Sequence, residues 1–201
     1  MTSSKAQHSP VAPRRMQSGD LAGNGVIRRR LEEMIRVDHA GEAGAVRIYE
    51  GQLAVFRAAR PGARIVADLE HMAKDEEIHL DAFNRILNER RVRPTLMTPL
   101  WGAAGFALGA ATALLGEKAA HACTAAVEEV IDEHYRAQVQ ELETSAGEAE
   151  LRDMVETFRE EEVAHRDKAL AEGAEDAPGY PVLSGAIKAA CRLAIRVSEK
   201  I

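Results

Sequence analysis

The stretch His71-Met72-Ala73-Lys74-Asp75-Glu76-Glu77-Ile78-His79-Leu80 decides how this chain is read. It holds a Glu-x-x-His pair, Glu76 and His79, and a second pair stands at Glu162 and His165. Residues three apart on an α-helix are neighbours on one face, so each pair aims a carboxylate and an imidazole at the same spot. A single such pair is weak, because glutamate is abundant in helices. Its copy is what carries information.

The two pairs lie 86 residues apart (162 − 76, and again 165 − 79). The same offset relates Glu42 to Glu128, so each half has a lone glutamate 34 residues ahead of its Glu-x-x-His (76 − 42, 162 − 128). This spacing predicts helix, turn, helix, twice over, with each lone glutamate facing its own pair across an antiparallel hairpin. The repeat also chooses among neighbours. Adjacent helical residues diverge by about 100°, so the spacing selects Glu128 over Glu129, Glu162 over Glu160 and Glu161, and Glu76 over Asp75 and Glu77.

The candidate metal ligands are therefore Glu42, Glu76, His79, Glu128, Glu162 and His165. Four carboxylates and two imidazoles from four helices form the donor set of a carboxylate-bridged di-iron or di-manganese bundle. Hard carboxylate oxygens neutralise two cations, and imidazole suits iron. Four carboxylates buried together without cations would be strongly disfavoured. Tyr49 and Tyr135 obey the 86-residue offset too (135 − 49), each seven residues after its lone glutamate. Seven residues are about two turns, which places them on the metal-facing stripe; ordinary core tyrosines with hydrogen-bonded hydroxyls are the alternative.

The rest of the chain fits a helical protein. With 46% apolar and 29% charged residues, in long Ala/Leu/Glu/Arg-rich stretches, its composition suits helices, and no sustained period-two run suggests a strand. Helices are expected over 26–59, 63–90, 117–144, 148–171 and 182–199, broken by Pro61-Gly62, Pro94, Gly147 and Pro178-Gly179. Residues 1–25, rich in Ser, Pro and Gly, are expected as a disordered tail ahead of a single domain over 26–201. The net charge of −6 argues against nucleic-acid binding. Two cysteines, Cys123 and Cys191, give no disulfide framework and read as buried small apolar residues.

Pro94 through Gly116 carries no charge. It is rich in Ala and Gly and opens on prolines, so a spanning helix, which needs roughly 20 mainly apolar residues, is not expected. A buried core helix and a helix lying in a membrane surface, with Trp101 as interfacial anchor, are both open.

Local motifs narrow the reading. Arg36-Val-Asp-His-Ala-Gly-Glu42, Arg47-Ile-Tyr49, Arg91-Val-Arg-Pro-Thr95, Pro99-Leu-Trp101, Gly105-Phe-Ala-Leu-Gly109, Thr112-Ala-Leu-Leu-Gly116 and Ala122-Cys-Thr-Ala-Ala-Val-Glu-Glu129 resemble the demethoxyubiquinone hydroxylases of ubiquinone biosynthesis. The resemblance runs from about Ile27 to the C-terminus. It implies an all-α, ferritin-like four-helix bundle with a di-iron centre, plus a membrane-interacting apolar helix and a C-terminal helix. It implies an O2-dependent monooxygenase acting on a polyprenylated demethoxyubiquinol, with two irons per subunit on the same six ligands, Glu76 and Glu162 bridging. It further implies peripheral attachment to a lipid surface, which moves the membrane reading of Trp101–Leu115 to first place. The cytoplasmic face of a cell membrane is expected, with the matrix side of the mitochondrial inner membrane as the alternative. Partner proteins of the pathway or a homo-oligomer are expected as company. NADH is a possible electron source, although Gly23-Asn-Gly25 is too little for a dinucleotide fingerprint. A ferritin-like iron-storage or peroxide-reducing protein is the rival, and a metal-free helical scaffold gives no reason for the doubled spacing.

Around the cage, Asp38 and Asp132 are each four residues from a lone glutamate and are placed to hold ligating imidazoles from behind, with surface carboxylates as the alternative. His39 and His134 fall off the ligand spacing and read as structural. Asp81 and Asp167 point about 200° away from their histidines and are expected to face solvent.

Overall fold

The computed structural model describes residues 18–145 and 147–201, with side chains from residue 25 onward. Six α-helices account for almost all of it: α1 (Ser18–Ala59), α2 (Arg64–Arg90), α3 (Thr98–Leu114), α4 (Glu117–Glu143), α5 (Ala149–Ala171) and α6 (Tyr180–Ser198), with a 3₁₀ turn at Ala174–Asp176. Among the described residues there is no strand. The chain divides into two units, Met1–Leu31 and Glu32–Ile201. In the first, α1 begins at Ser18, ahead of the expected start at Val26, and residues 1–17 lie outside the described residues. Extending a formed helix costs little per residue, so Gly23 and Gly25 do not stop it. Val26 and Ile27 are exposed.

In the second unit the boundaries follow local chemistry. Arg91 adopts a left-handed conformation (φ 55°), and Val92 N–H returns to Leu87 O at 2.9 Å, closing α2 before Pro94. Gly116, at φ 112°, turns the chain from α3 into α4, a geometry a side chain would strain.

Four helices form the bundle. α1 and α2 pair antiparallel through Arg57–Glu70 at one end and His39–Asn84 at the other. α4 and α5 pair through Asp132–Arg159, and Ala119 and Ala169 belong to one buried apolar cluster. Tyr49, Leu53, Phe56, Ile65, Leu69 and Met72 fill one end of the interior, all nearly inaccessible. α3 and α6 lie outside this bundle. α6 runs parallel to α4, tied by Lys188–Glu129 and Arg192–Glu133.

α3 packs backbone to backbone on α1. A methyl added at Gly109 would collide with the Ile48 carbonyl, and one at Gly51 with the Phe106 carbonyl. The Ala/Gly-rich composition that made a spanning segment doubtful is what this close approach needs. Only Gly105, Gly109, Thr112 and Ala113 of α3 are buried, while Leu100, Leu114 and Leu115 stay exposed. No helix among the described residues is long and apolar enough to cross a membrane.

Candidate metal centre

Each bundle helix delivers its share of the site. α1 brings Glu42, α2 brings Glu76 and His79, α4 brings Glu128, and α5 brings Glu162 and His165; none is more than 6% exposed. Their donor atoms gather into two groups, Glu42/Glu76/His79/Glu162 and Glu76/Glu128/Glu162/His165, each with its atoms within 4.8 Å of one another. Glu76 and Glu162 belong to both. His79 Nδ1 lies 3.1 Å from Glu162 Oε1 and 3.5 Å from Glu42 Oε2, and His165 Nδ1 lies 3.3 Å from both Glu76 and Glu162. The neighbours that the spacing rejected point elsewhere: Glu77 and Glu160 are exposed, and Glu129 pairs with Lys188.

Both tyrosines lie on the inner stripe, and they are crossed. Tyr49 of the first half donates to Glu128 Oε1 of the second at 3.0 Å, and Tyr135 of the second half donates to Glu42 Oε1. Each hydroxyl fixes the lone glutamate of the opposite half.

The outer faces of the imidazoles depart from expectation. His79 Nε2 meets Glu161 Oε2 at 2.6 Å, and His165 Nε2 meets Asp75 Oδ2 at 3.2 Å. Asp38 instead accepts from Gln138 at 2.7 Å and lies 3.2 Å from His134 Nε2. Asp132 is held by Arg136, Arg159 and Arg166. The helical spacing of Asp38 and Asp132 is right, but they lie level with His134 and the α5 arginines rather than with the ligand histidines. A signal for the true partners was present: Asp75 and Glu161 each precede a Glu-x-x-His glutamate and are themselves 86 apart (161 − 75). His39 is structural, at 3.1 Å from Asn84. Asp81 is exposed and Asp167 pairs with Arg166 at the surface.

The electrostatics of the protein alone are unbalanced. Burial raises Glu42, Glu76 and Glu128, and mutual repulsion with Glu162 adds to the rise. Burial would raise Glu162 too, yet the facing imidazoles of His165 and His79 hold it down at about 2. The imidazoles answer in kind. Burial pushes both down, but the facing carboxylates win and lift His79 to about 12 and His165 to about 9. Glu42 Oε2, both oxygens of Glu76, Glu162 Oε2 and His165 Nδ1 are buried without a hydrogen-bond partner. Buried polar atoms left unpaired are costly, and these five aim into one space. Two divalent cations there would cancel four carboxylate charges, leave both imidazoles neutral and occupy the orphaned donors. The residues fit a pair of metal ions.

A pocket of about 180 Å³ adjoins the cage. Its floor is α1 and α4, including Gly41, Gly44, Ala45, His134 and Tyr135; its roof is α3 and α6. It is walled almost wholly by apolar groups, and Tyr135 is one hydrogen bond from Glu42.

The fold and site define a helical bundle with a buried, twofold-repeated Glu/His cage able to hold metal ions beside an apolar pocket. Residues 29–198 match the family described as "Ubiquinone biosynthesis protein COQ7", and the chain belongs to that family. It is 55% identical to the 3-demethoxyubiquinol 3-hydroxylase of Rhodospirillum rubrum, over 85% of this chain and 78% of the relative. It is 45% identical to the human protein named NADPH-dependent 3-demethoxyubiquinone 3-hydroxylase, mitochondrial, over 93% of this chain and 85% of the relative. The mitochondrial 5-demethoxyubiquinone hydroxylase of Saccharomyces cerevisiae is 41% identical over 85% of this chain and 78% of its own length.

Proposed function

We propose that this protein is a monooxygenase that hydroxylates the ring of a polyprenylated demethoxyubiquinol, using O2 and two iron ions held by Glu42, Glu76, His79, Glu128, Glu162 and His165. The observation that carries the reading is the doubled cage with Glu76 and Glu162 common to both halves, set against an apolar pocket one hydrogen bond away. Iron supplies the oxygen chemistry, which protein side chains lack. The chain supplies the rest. Glu76 and Glu162, common to both donor groups, would be shared between the two ions, and the Nε2 hydrogens of His79 and His165 are kept on Glu161 and Asp75, so that both Nδ1 lone pairs face inward. The apolar walls exclude water and receive the ring.

The names of the relatives support the substrate, and the name of the human relative supports a nicotinamide as the source of electrons. Peripheral attachment to a membrane, where a polyprenyl quinol resides, is supported by the exposed Leu96, Leu100, Leu114, Leu115, Val182 and Leu193, which lie on or beside the two outer helices α3 and α6. The pocket disfavours the iron-storage alternative, which has no use for an apolar ring-sized chamber. Quinone extracts of cells whose only copy carries Glu162→Ala test the proposal. Demethoxyubiquinone is expected to accumulate; a normal ubiquinone content would sink the reading.

A further inference from the structure

The floor of the pocket is built from residues that the 86-residue offset pairs: Gly41 with Val127, Ala45 with Ile131, and Ile48 with His134. On α4, Val127, Ile131 and His134 share one helix face by their spacing. Every member of these pairs is apolar or glycine except His134. A floor that is otherwise twofold therefore carries an imidazole at one end and an isoleucine at the other.

The imidazole is held from behind. His134 Nε2 lies 3.2 Å from Asp38 Oδ1 and 2.9 Å from Gln138 Nε2, and Gln138 Nε2 donates to Asp38 Oδ1 at 2.7 Å. The Asp38 side chain is only 1% exposed. At the other end of the floor the matching residues are Thr124 for Asp38 and Gln52 for Gln138, and there Gln52 Nε2 donates to the Ala120 carbonyl at 3.2 Å. Sinking a carboxylate and an imidazole beside an apolar pocket costs more than the threonine and isoleucine that the same fold accommodates at the matching places. Packing alone gives no reason for them.

Either tautomer of His134 satisfies Nε2 within this group, as an N–H given to Asp38 or as an acceptor of the second Gln138 hydrogen. Nδ1 is left over. It makes no hydrogen bond, and it is not among the unpartnered atoms that are shut away from the surface. Other polar groups of the wall are engaged: the Tyr135 hydroxyl donates to Glu42, and Trp101 Nε1–H donates to Ser198 Oγ. On the ring-hydroxylation reading above, a ring hydroxyl that enters this apolar pocket gives up water and needs a new partner. A hydroxyl both donates and accepts, so it can meet Nδ1 as a lone pair or as an N–H. His134 also directly precedes Tyr135, so the polar end of the floor is the end that carries the link to Glu42.

We propose that His134 binds one ring hydroxyl of the substrate through Nδ1 and thereby fixes which edge of the ring faces the metal cage. Asp38 and Gln138 act through the imidazole, as positioning residues.

The test uses the metal-loaded full-length protein, without oxygen, and calorimetry. The probes are a tail-less methoxylated hydroquinone and the two phenols that each lack one of its hydroxyls. One phenol is expected to bind wild type as the hydroquinone does. The other should bind roughly ten- to a hundredfold more weakly, because it leaves Nδ1 unpaired. His134→Phe, which fills the space without a hydrogen-bonding atom, should abolish the preference between the phenols, and His134→Gln, which keeps one, should retain part of it. If the two phenols bind wild type alike, or if His134→Phe weakens all three probes by one common factor, His134 does not hold the ring and the proposal is overturned. The comparison in wild type needs no variant, so it decides even where a substitution prevents folding. If none of the three probes binds wild type, the ring-hydroxylation reading itself fails, and this assignment fails with it.

Discussion

His79 on α2 presents its Nε2 to Glu161 on α5 at 2.6 Å, and the pseudo-symmetric His165 on α5 presents its own to Asp75 on α2 at 3.2 Å. The two contacts cross the same helix pair in opposite directions. Each holds an imidazole so that Nδ1 faces the carboxylates. The environments differ: the Glu161 side chain is 51% exposed, the Asp75 side chain 28%.

Removing either acceptor should loosen metal. Partners of this kind are worth about 10- to 100-fold in metal affinity, so Glu161→Ala and Asp75→Ala should each weaken Fe(II) or Mn(II) binding in that range. Glu161→Gln and Asp75→Asn, which retain an acceptor oxygen, should lose less. Competition against a chelator of known affinity measures it. Equal affinity in the alanine and amide variants would show that the contact does not orient the ring.

Metal and protons should compete for the cage. Glu42, Glu76 and Glu128 bind protons more tightly in the folded protein than their ordinary value of 4.5. Their share of stability is present below that value and is lost as pH rises through the folded pKa. His165 and His79, raised to about 9 and about 12, act in the same direction: their share is full below 6.5 and drains away through those values. Glu162 opposes them, since its depressed pKa of about 2 adds stability above 4.5 that is lost only in strong acid. The metal-free protein should therefore lose melting temperature across roughly pH 6 to 9, while the metal-loaded protein holds its own over that span. Thermal melts of chelator-treated and reloaded samples test this. Addition of divalent metal to weakly buffered apoprotein should also release protons.

The α1–α3 contact is a separate stability element. Gly109→Ala drives a methyl into the Ile48 carbonyl, whereas Gly102→Ala meets nothing closer than Arg47 Cγ at 3.7 Å. Overpacking of this kind costs about 1–3 kcal/mol. Chemical denaturation should show that loss for Gly109→Ala and little for Gly102→Ala. Because α3 roofs the pocket, the damaging variant should also weaken binding of ring compounds.

The sequence made the cage legible because metal chemistry fixes residue types, and helical geometry fixes their spacing. Glu42, Glu76, His79, Glu128, Glu162 and His165 could be found by a single offset, and the structure gathers all six. The fate of Asp38 and Asp132 was not legible in the same way. Their helical face was correct, but which imidazole or guanidinium lies opposite depends on the axial register between helices, which one helix's periodicity does not encode. The hydrogen bond from Trp101 Nε1–H on α3 to Ser198 Oγ on α6 was hidden for a related reason. It joins two helices outside the repeat, so no internal copy exists to flag it. The apolar run holding Trp101 suggested a membrane surface or a core; in the fold, α3 divides itself between a buried glycine edge and an exposed leucine edge.

The crossed tyrosines offer the sharpest separation of metal binding from substrate binding. Tyr49 and Tyr135 make equivalent hydrogen bonds, to Glu128 and Glu42, and both are 1% exposed. Their surroundings differ. Tyr49 packs within the apolar cluster of Leu53, Leu69 and Met72, away from the pocket, whereas Tyr135 lines it. A hydrogen bond to a charged group is worth about 1.5–3 kcal/mol, so Tyr49→Phe and Tyr135→Phe should each lower metal affinity by roughly ten- to a hundredfold at the half-site they support. Only Tyr135→Phe should also change kcat and KM for the quinol when metal is saturating, because only there does the hydroxyl lie between the glutamate and the ring. Steady-state kinetics at saturating iron, beside metal titrations of both variants, separates the effects. If Tyr49→Phe altered KM as strongly as Tyr135→Phe, the pocket roofed by α3 and α6 would not be where the ring binds.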